Sequence, residues 1–97
     1  MSFAFHPEAE AELIEATEWY ETREHGLGLD FAAEVYAAIR RAQAFPLAWQ
    51  LMENGIRRAL VHRFPYGVLY APEQDGVLVI AVMHLHQQPG YWQDRRG

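Results

Sequence analysis

Apolar positions recur with two different periods, and the change of period divides the chain into a helical first half and a strand-forming second half. Ala9, Leu13, Ala16 and Tyr20 follow one another at spacings of four, three and four, which is one face of an α-helix. Pro7 suits the opening turn, where its missing N–H costs nothing. Phe3-Ala4-Phe5, ahead of His6-Pro7, reads as a short strand. Gly26-Leu27-Gly28 interrupts the helical stripe, and a second stripe follows in Phe31, Val35, Ala38, Ile39 and Ala42, with Asp30 placed to cap it and Phe45-Pro46 to stop it. Two helices joined by a tight glycine turn predict an antiparallel hairpin. Its alanines at 32, 33, 37, 38, 42 and 44 leave room for close packing.

Residues 47–56 read as irregular, with Asn54-Gly55 as turn chemistry. From Arg57 the period falls to two. Arg57, Ala59, Val61 and Arg63 alternate with Arg58, Leu60 and His62, predicting a strand with Arg57 and Arg63 on one face and Arg58 on the other. Phe64-Pro65-Tyr66-Gly67 turns the chain, Val68-Leu69-Tyr70 begins the next strand, and residues 72–76 carry a hairpin signal. Residues 77–83 are apolar on both faces, the mark of a strand covered on both sides. The predicted fold is α+β: a short N-terminal strand, an αα-hairpin, then a three-stranded antiparallel meander, with the helices packed on one sheet face. At 97 residues this is one domain over 1–97, with no internal repeat or linker.

Charge changes the picture more than composition does. The net charge of −5 argues against a general nucleic-acid binder, since phosphate binding rests on clustered cations. The charge is uneven: residues 1–30 hold eight acidic residues and one arginine, a net of −7, and residues 31–97 carry a net of +2. All eight basic residues are arginine, which removes lysine chemistry and favours bidentate contacts to carboxylate or phosphate. The absence of cysteine excludes disulfides and thiolate metal sites. With no signal peptide visible at the start and no apolar run of membrane-spanning length, a cytoplasmic protein is expected.

Several residues are candidates for chemistry. His84 and His86, two apart at a strand end, point to one side; they suit an acid–base pair, or are simply polar groups at a solvated end. No metal is expected, since a third ligand, with His62 the candidate, would have to converge on them. Arg57, Arg58 and Arg63 suit phosphate or a partner's carboxylates, or pair with the chain's own glutamates. Trp19, one position off the first stripe, and Trp92, in the tail, are candidate partner anchors.

Taken in order, Pro7-Glu8-Ala9, Glu18-Trp19-Tyr20-Glu21, Gly26-Leu27-Gly28, Phe45-Pro46, Ile56-Arg57-Arg58, Arg63-Phe64-Pro65-Tyr66, Tyr70, His84-Leu85-His86 and Pro89-Gly90-Tyr91-Trp92 resemble the RelE/ParE toxin superfamily over nearly the whole chain. The resemblance implies the toxin of a type II toxin–antitoxin system, silenced by a small cognate antitoxin encoded beside it, and it implies no cofactor. RelE-like members cut messenger RNA on the ribosome, and ParE-like members block DNA gyrase. The nuclease branch uses basic residues on the meander, with an arginine and a tyrosine near the C-terminus, so Arg58, His84, His86 and Tyr91 are the catalytic candidates. Arg57, Arg63, Trp19 and Trp92 are the candidates for contacts with antitoxin or target.

Three departures favour the ParE-like branch. Gly67 stands where RelE-like members have an arginine, residues 84–88 lack the usual basic cluster, and the chain is acidic. The expected activity is therefore growth inhibition by binding a protein target. A RelE-like endoribonuclease and a non-toxic antitoxin-binding relic are the alternatives. No sequence-specific DNA binding by the toxin alone and no membrane partner are expected.

Overall fold

The computed structural model describes residues 2–96, so residues 1 and 97 of the expected domain lie outside the described residues. Strand β1 (Ser2–Phe5) leads into helices α1 (Pro7–Arg23) and α2 (Leu27–Ala44), followed by strands β2 (Gln50–Leu51), β3 (Arg57–Leu60), β4 (Tyr66–Glu73) and β5 (Gly76–His84). A short 3-10 helix over Gln93–Arg96 closes the described chain. The five strands form one sheet in the order β1-β5-β4-β3-β2. The expected antiparallel meander is β3-β4-β5, and β1 joins it in parallel beside β5. The stretch expected to be irregular contributes β2: Asn54 and Gly55 take positive φ of 55° and 75°, and the turn they make lays Gln50 and Leu51 against Arg58 and Arg57.

The helical hairpin is closed by a residue whose role the helical period does not reveal. Glu21 of α1 accepts hydrogen bonds from the backbone N–H of Gly26 at 2.9 Å and of Gly28 at 3.0 Å, so a carboxylate from one helix caps the next. These bonds hold its carboxyl below the usual carboxylate range. Asp30, the expected cap, lies inside the first turn of α2, and the N-cap is Gly26 in the left-handed region with no side-chain cap bond. Gly28 permits the helices to touch: a Cβ there would stand 2.6 Å from the Thr17 carbonyl oxygen.

One face of the sheet packs on the helices through Ala9, Leu13, Phe31, Val35, Ile39, Val68, Tyr70 and Val79. The other face carries a smaller core of Ile56, Leu69, Ile80, Ala81, Met83 and Trp92, with Met52, Leu78 and Tyr91 packed against it. Strand β5 is thus covered on both sides, as its pattern predicts. A bulge breaks its alternation: Leu69 pairs with Ala81 but Tyr70 pairs with Val79, leaving Ile80 unopposed. Ile80 and Ala81 both enter the far core, and Val82 returns to the helical face. His84, two residues on, therefore faces α1 as well.

Strand β3 is shorter than the alternation of residues 57–63 suggests. It ends at Leu60, and Arg63 stands at φ 72° in the turn, so Arg57 and Arg63 do not share a strand face. Arg63 reaches instead toward Asp30, at 3.7 Å between two exposed side chains. Among the described residues no helix is long and apolar enough to cross a membrane.

Candidate functional site

Strand β1 pairs with β5 only as far as Val79, and the backbone of β5 beyond that point needs other partners. Glu12 and Arg95 supply them. The Val82 N–H donates to Glu12 Oε1 at 2.9 Å, and Arg95 Nη1 donates to the Ile80 carbonyl at 3.1 Å. Tyr91 adds its hydroxyl to Glu12 Oε2 at 2.8 Å. Burial and this bond to a carboxylate push the Tyr91 hydroxyl far above its ordinary pKa. Glu12 is thus enclosed by three groups from the end of the chain and the sheet, and α1 is tied to both.

Beside this junction lies a concave pocket of about 350 Å³, open on one side. Helix α1 contributes Glu12, Glu15, Ala16, Trp19 and Tyr20, and the sheet side contributes Tyr66, Val82 and His84. Tyr20 and Tyr66 meet edge to face at 6.2 Å, and His84 packs against Tyr66 at 5.1 Å. Burial, then the negative potential of Tyr20, Glu15 and Glu12, raises the Tyr66 pKa. The His84 Nδ1 accepts the backbone N–H of His86 at 3.0 Å, so in this geometry that nitrogen carries a lone pair. The two imidazole rings stand 5.4 Å apart.

The candidates named from the sequence fall into separate places. Trp19 lies on the pocket wall and is 50% exposed, with the Arg23 guanidinium 4.2 Å from its ring centre. Arg57 binds the Trp49 carbonyl at 2.8 Å, where it helps hold the loop between α2 and β2. Arg58 pairs with Gln50 at 2.7 Å and lies across Gly67, where a Cβ would stand 3.0 Å from its stem. The absence of a side chain at Gly67 is therefore what lets Arg58 lie flat, though its Nε is buried without a hydrogen-bond partner. Arg63 is in the turn, Tyr91 is committed to Glu12, and Trp92 is 4% exposed in the far core. His62 is exposed in the turn after β3, and no group of three or more His, Asp or Glu among the described residues is arranged to hold a metal ion.

The structure thus brings His84 together with Tyr66, Tyr20 and Trp19 in the pocket, leaves His86 beside His84 and out of the lining, and leaves the arginines elsewhere. Glu12, Glu15, Tyr20 and Tyr66 carry the pocket and Arg95 anchors its back, none of which is among the site candidates named from the sequence. A signal for Glu12 was present: it lies three residues after Ala9 and four before Ala16, on the flank of the buried stripe. The bulge at Ile80, which turns His84 toward these residues, has no such signal.

The chain matches the model of a family described as the ParE toxin of the type II toxin-antitoxin system, parDE, over residues 3–89. No curated protein matches the sequence. Among solved structures, a chain of the chromosomal ParDE TA system from P. aeruginosa is similar in fold, with a TM-score of 0.73 and 16% sequence identity over 89% of this chain and 97% of that one.

Proposed function

As the chain belongs to the ParE toxin family of type II toxin–antitoxin systems, we propose that it is held silent by a small cognate antitoxin and, once released, inhibits growth by binding a protein target in the cytoplasm, with DNA gyrase the target in view. The observation that carries a binding role is the exposure of large apolar side chains on the helical hairpin. Ile14, Trp19 and Leu29 are each at least half exposed, and an exposed tryptophan is the kind of side chain that anchors interfaces. The acidic first helix adds a negative surface for a basic segment of the antitoxin, in the manner of a helix laid in a groove. Trp19 and the exposed Arg63 are the contacts proposed for it.

A non-catalytic mode is supported by what the catalytic candidates do. Arg58 lies on the sheet face away from His84, and Tyr91 spends its hydroxyl on Glu12, so these candidates do not converge on one point. General acid–base work needs such groups free and within hydrogen-bond reach of one reacting atom.

Inducing the chain in a bacterium without its antitoxin, and following gyrase supercoiling alongside transcript integrity, tests the reading. Lost supercoiling with intact messages is expected. Site-specific cuts in translated messages would overturn it in favour of a RelE-like endoribonuclease. Growth unaffected by induction would leave an antitoxin-binding relic.

A further inference from the structure

The pocket between α1 and the end of β5 has a chemistry more specific than an apolar groove. Its walls are aromatic: Tyr20, Tyr66 and the edge formed by Trp19. Its floor is braced by Glu12, whose charge Arg95 already neutralises through two hydrogen bonds. Its rim carries Glu15, an exposed carboxylate with no hydrogen bond or ion pair among the described residues. The hydroxyls of Tyr20 and Tyr66 likewise have no hydrogen-bond partner among the described residues. Ring faces rich in π-density, two unspent hydroxyl oxygens and one unpaired carboxylate make a receptor for a cation on a slender stem.

None of the chain's own arginines fills that role. Arg95 is committed to Glu12 and Ile80, and Arg23 is stacked on the Trp19 ring and does not line the pocket. With Glu12 paired to Arg95, Glu15 is the lining carboxylate left uncompensated, and it gives the rim its negative charge. The first thirty residues carry a net charge of −7, which draws a basic segment toward the helical hairpin. A volume of about 350 Å³, at the small end of the range for ligand sites, has room for one long side chain.

We propose that this pocket receives an arginine side chain of the antitoxin, with the guanidinium over Tyr66 and paired to the Glu15 carboxylate. That the occupant belongs to the antitoxin rests on the function proposed above; the preference for a cation does not.

Two measurements separate these parts. In the first, the full chain is titrated with N-acetyl-arginine amide and with the neutral isostere N-acetyl-citrulline amide, reading the Trp19 indole N–H and the His84 ring by NMR. The arginine amide is expected to shift both signals, the citrulline amide to leave them in place, and Glu15→Gln to weaken the arginine response about tenfold, the scale of one charge-assisted contact. In the second, the antitoxin from the neighbouring gene is titrated into the parent chain, Glu15→Gln and Tyr66→Leu. Dissociation constants about tenfold higher for both variants are expected. Because Glu15 is exposed, Glu15→Gln reports on binding even if Tyr66→Leu unfolds.

Equal responses to the two amides overturn the cation pocket, and a Glu15→Gln constant within twofold of the parent's overturns its use by the antitoxin. Should the antitoxin fail to bind the parent chain at all, the proposed function falls, and the amide pair still decides whether the pocket selects a cation.

Discussion

Arg95 grips Glu12 through two parallel hydrogen bonds, Nη1 to Oε1 at 2.9 Å and Nη2 to Oε2 at 3.0 Å, across 83 positions of the chain. The side chains are only 10% and 21% exposed, so this pair is more than a surface ion pair. It replaces the missing strand along β5 past Val79 and pins the C-terminal segment over the far core. Removing Glu12 orphans the Val82 N–H and leaves Arg95 the longer contact of its Nε with Glu8 at 3.5 Å, and removing Arg95 leaves the Glu12 carboxylate without its cation and the Ile80 carbonyl without its donor. Glu12→Ala and Arg95→Ala should each lower the unfolding free energy by about 2 kcal/mol, less than a fully buried pair would show. The double variant should lose clearly less than the sum of the two. Urea denaturation measures both, and amide exchange at Val82 should accelerate in Glu12→Ala. Strict additivity would show that the two side chains do not act as a unit.

Glu21 makes the hairpin turn sensitive to acid. Its carboxyl lies below its ordinary value of 4.5, chiefly through the Gly26 N–H and then the Gly28 N–H, with burial opposing. A carboxylate with a depressed folded pKa contributes stability at pH values above its unfolded pKa, and the contribution disappears as pH falls through the folded value. Glu21→Gln should therefore be less stable than the parent chain at neutral pH, and the gap should shrink as pH drops below about 4. Thermal melts of both proteins across that range check the direction. A gap that stays constant to the lowest pH would assign the effect to side-chain shape.

These two carboxylates also mark the limit of what periodicity reveals. Both helices were legible because the stripes Ala9–Leu13–Ala16–Tyr20 and Phe31–Val35–Ala38–Ile39–Ala42 bury a face, and burial is what the pattern encodes. The double coverage of β5 was legible for the same reason. Glu12 and Glu21 do work that depends on backbone groups far along the chain or in the next element, and a one-dimensional pattern carries no record of those. The pocket was opaque for a related reason. Uninterrupted alternation from Val79 places Ala81 and Met83 toward the helices and His84 away from them. The extra residue at Ile80 reverses that, and nothing in a run of apolar residues marks which one is unopposed. Arg63 illustrates the opposite error: its alternation with His62 looks like a strand, while the left-handed turn at φ 72° takes it out of the sheet.

The two turn glycines should respond differently to an added methyl. At Gly28 a Cβ meets the Thr17 carbonyl at 2.6 Å and Glu21 at 3.0 Å, so Gly28→Ala must push α1 and α2 apart. The cost expected is about 1–3 kcal/mol, and the displaced Glu21 should lose its cap bonds. At Gly26 nothing lies within 4 Å, and only the positive φ of 87° opposes a side chain. Gly26→Ala should cost about 1 kcal/mol, and Gly26→Asn less, since asparagine tolerates that region better. Melting temperatures of the three variants rank them; Gly28→Ala as stable as the parent would mean the hairpin has slack.

Trp19 and Trp92 are chemically alike and should behave as opposites. Trp92 is 4% exposed within the far core, beside Ile80 and Met83, and its removal leaves a cavity. Trp92→Ala should lower stability by about 3–5 kcal/mol, enough to unfold much of a domain this small. Trp19 is half exposed on the pocket wall and touches only Tyr20 and Arg23 among the ring contacts. Trp19→Ala should change stability by less than about 1 kcal/mol. If Trp19 anchors the antitoxin, the same change should weaken binding by about 2 kcal/mol, roughly thirtyfold, because an exposed aromatic that becomes fully desolvated concentrates interface energy. Urea denaturation and calorimetric titration of the antitoxin, performed on both variants, separate the roles. A Trp19→Ala protein that binds as tightly as the parent would remove Trp19 from the interface, and a Trp19→Ala protein as unstable as Trp92→Ala would make it a core residue.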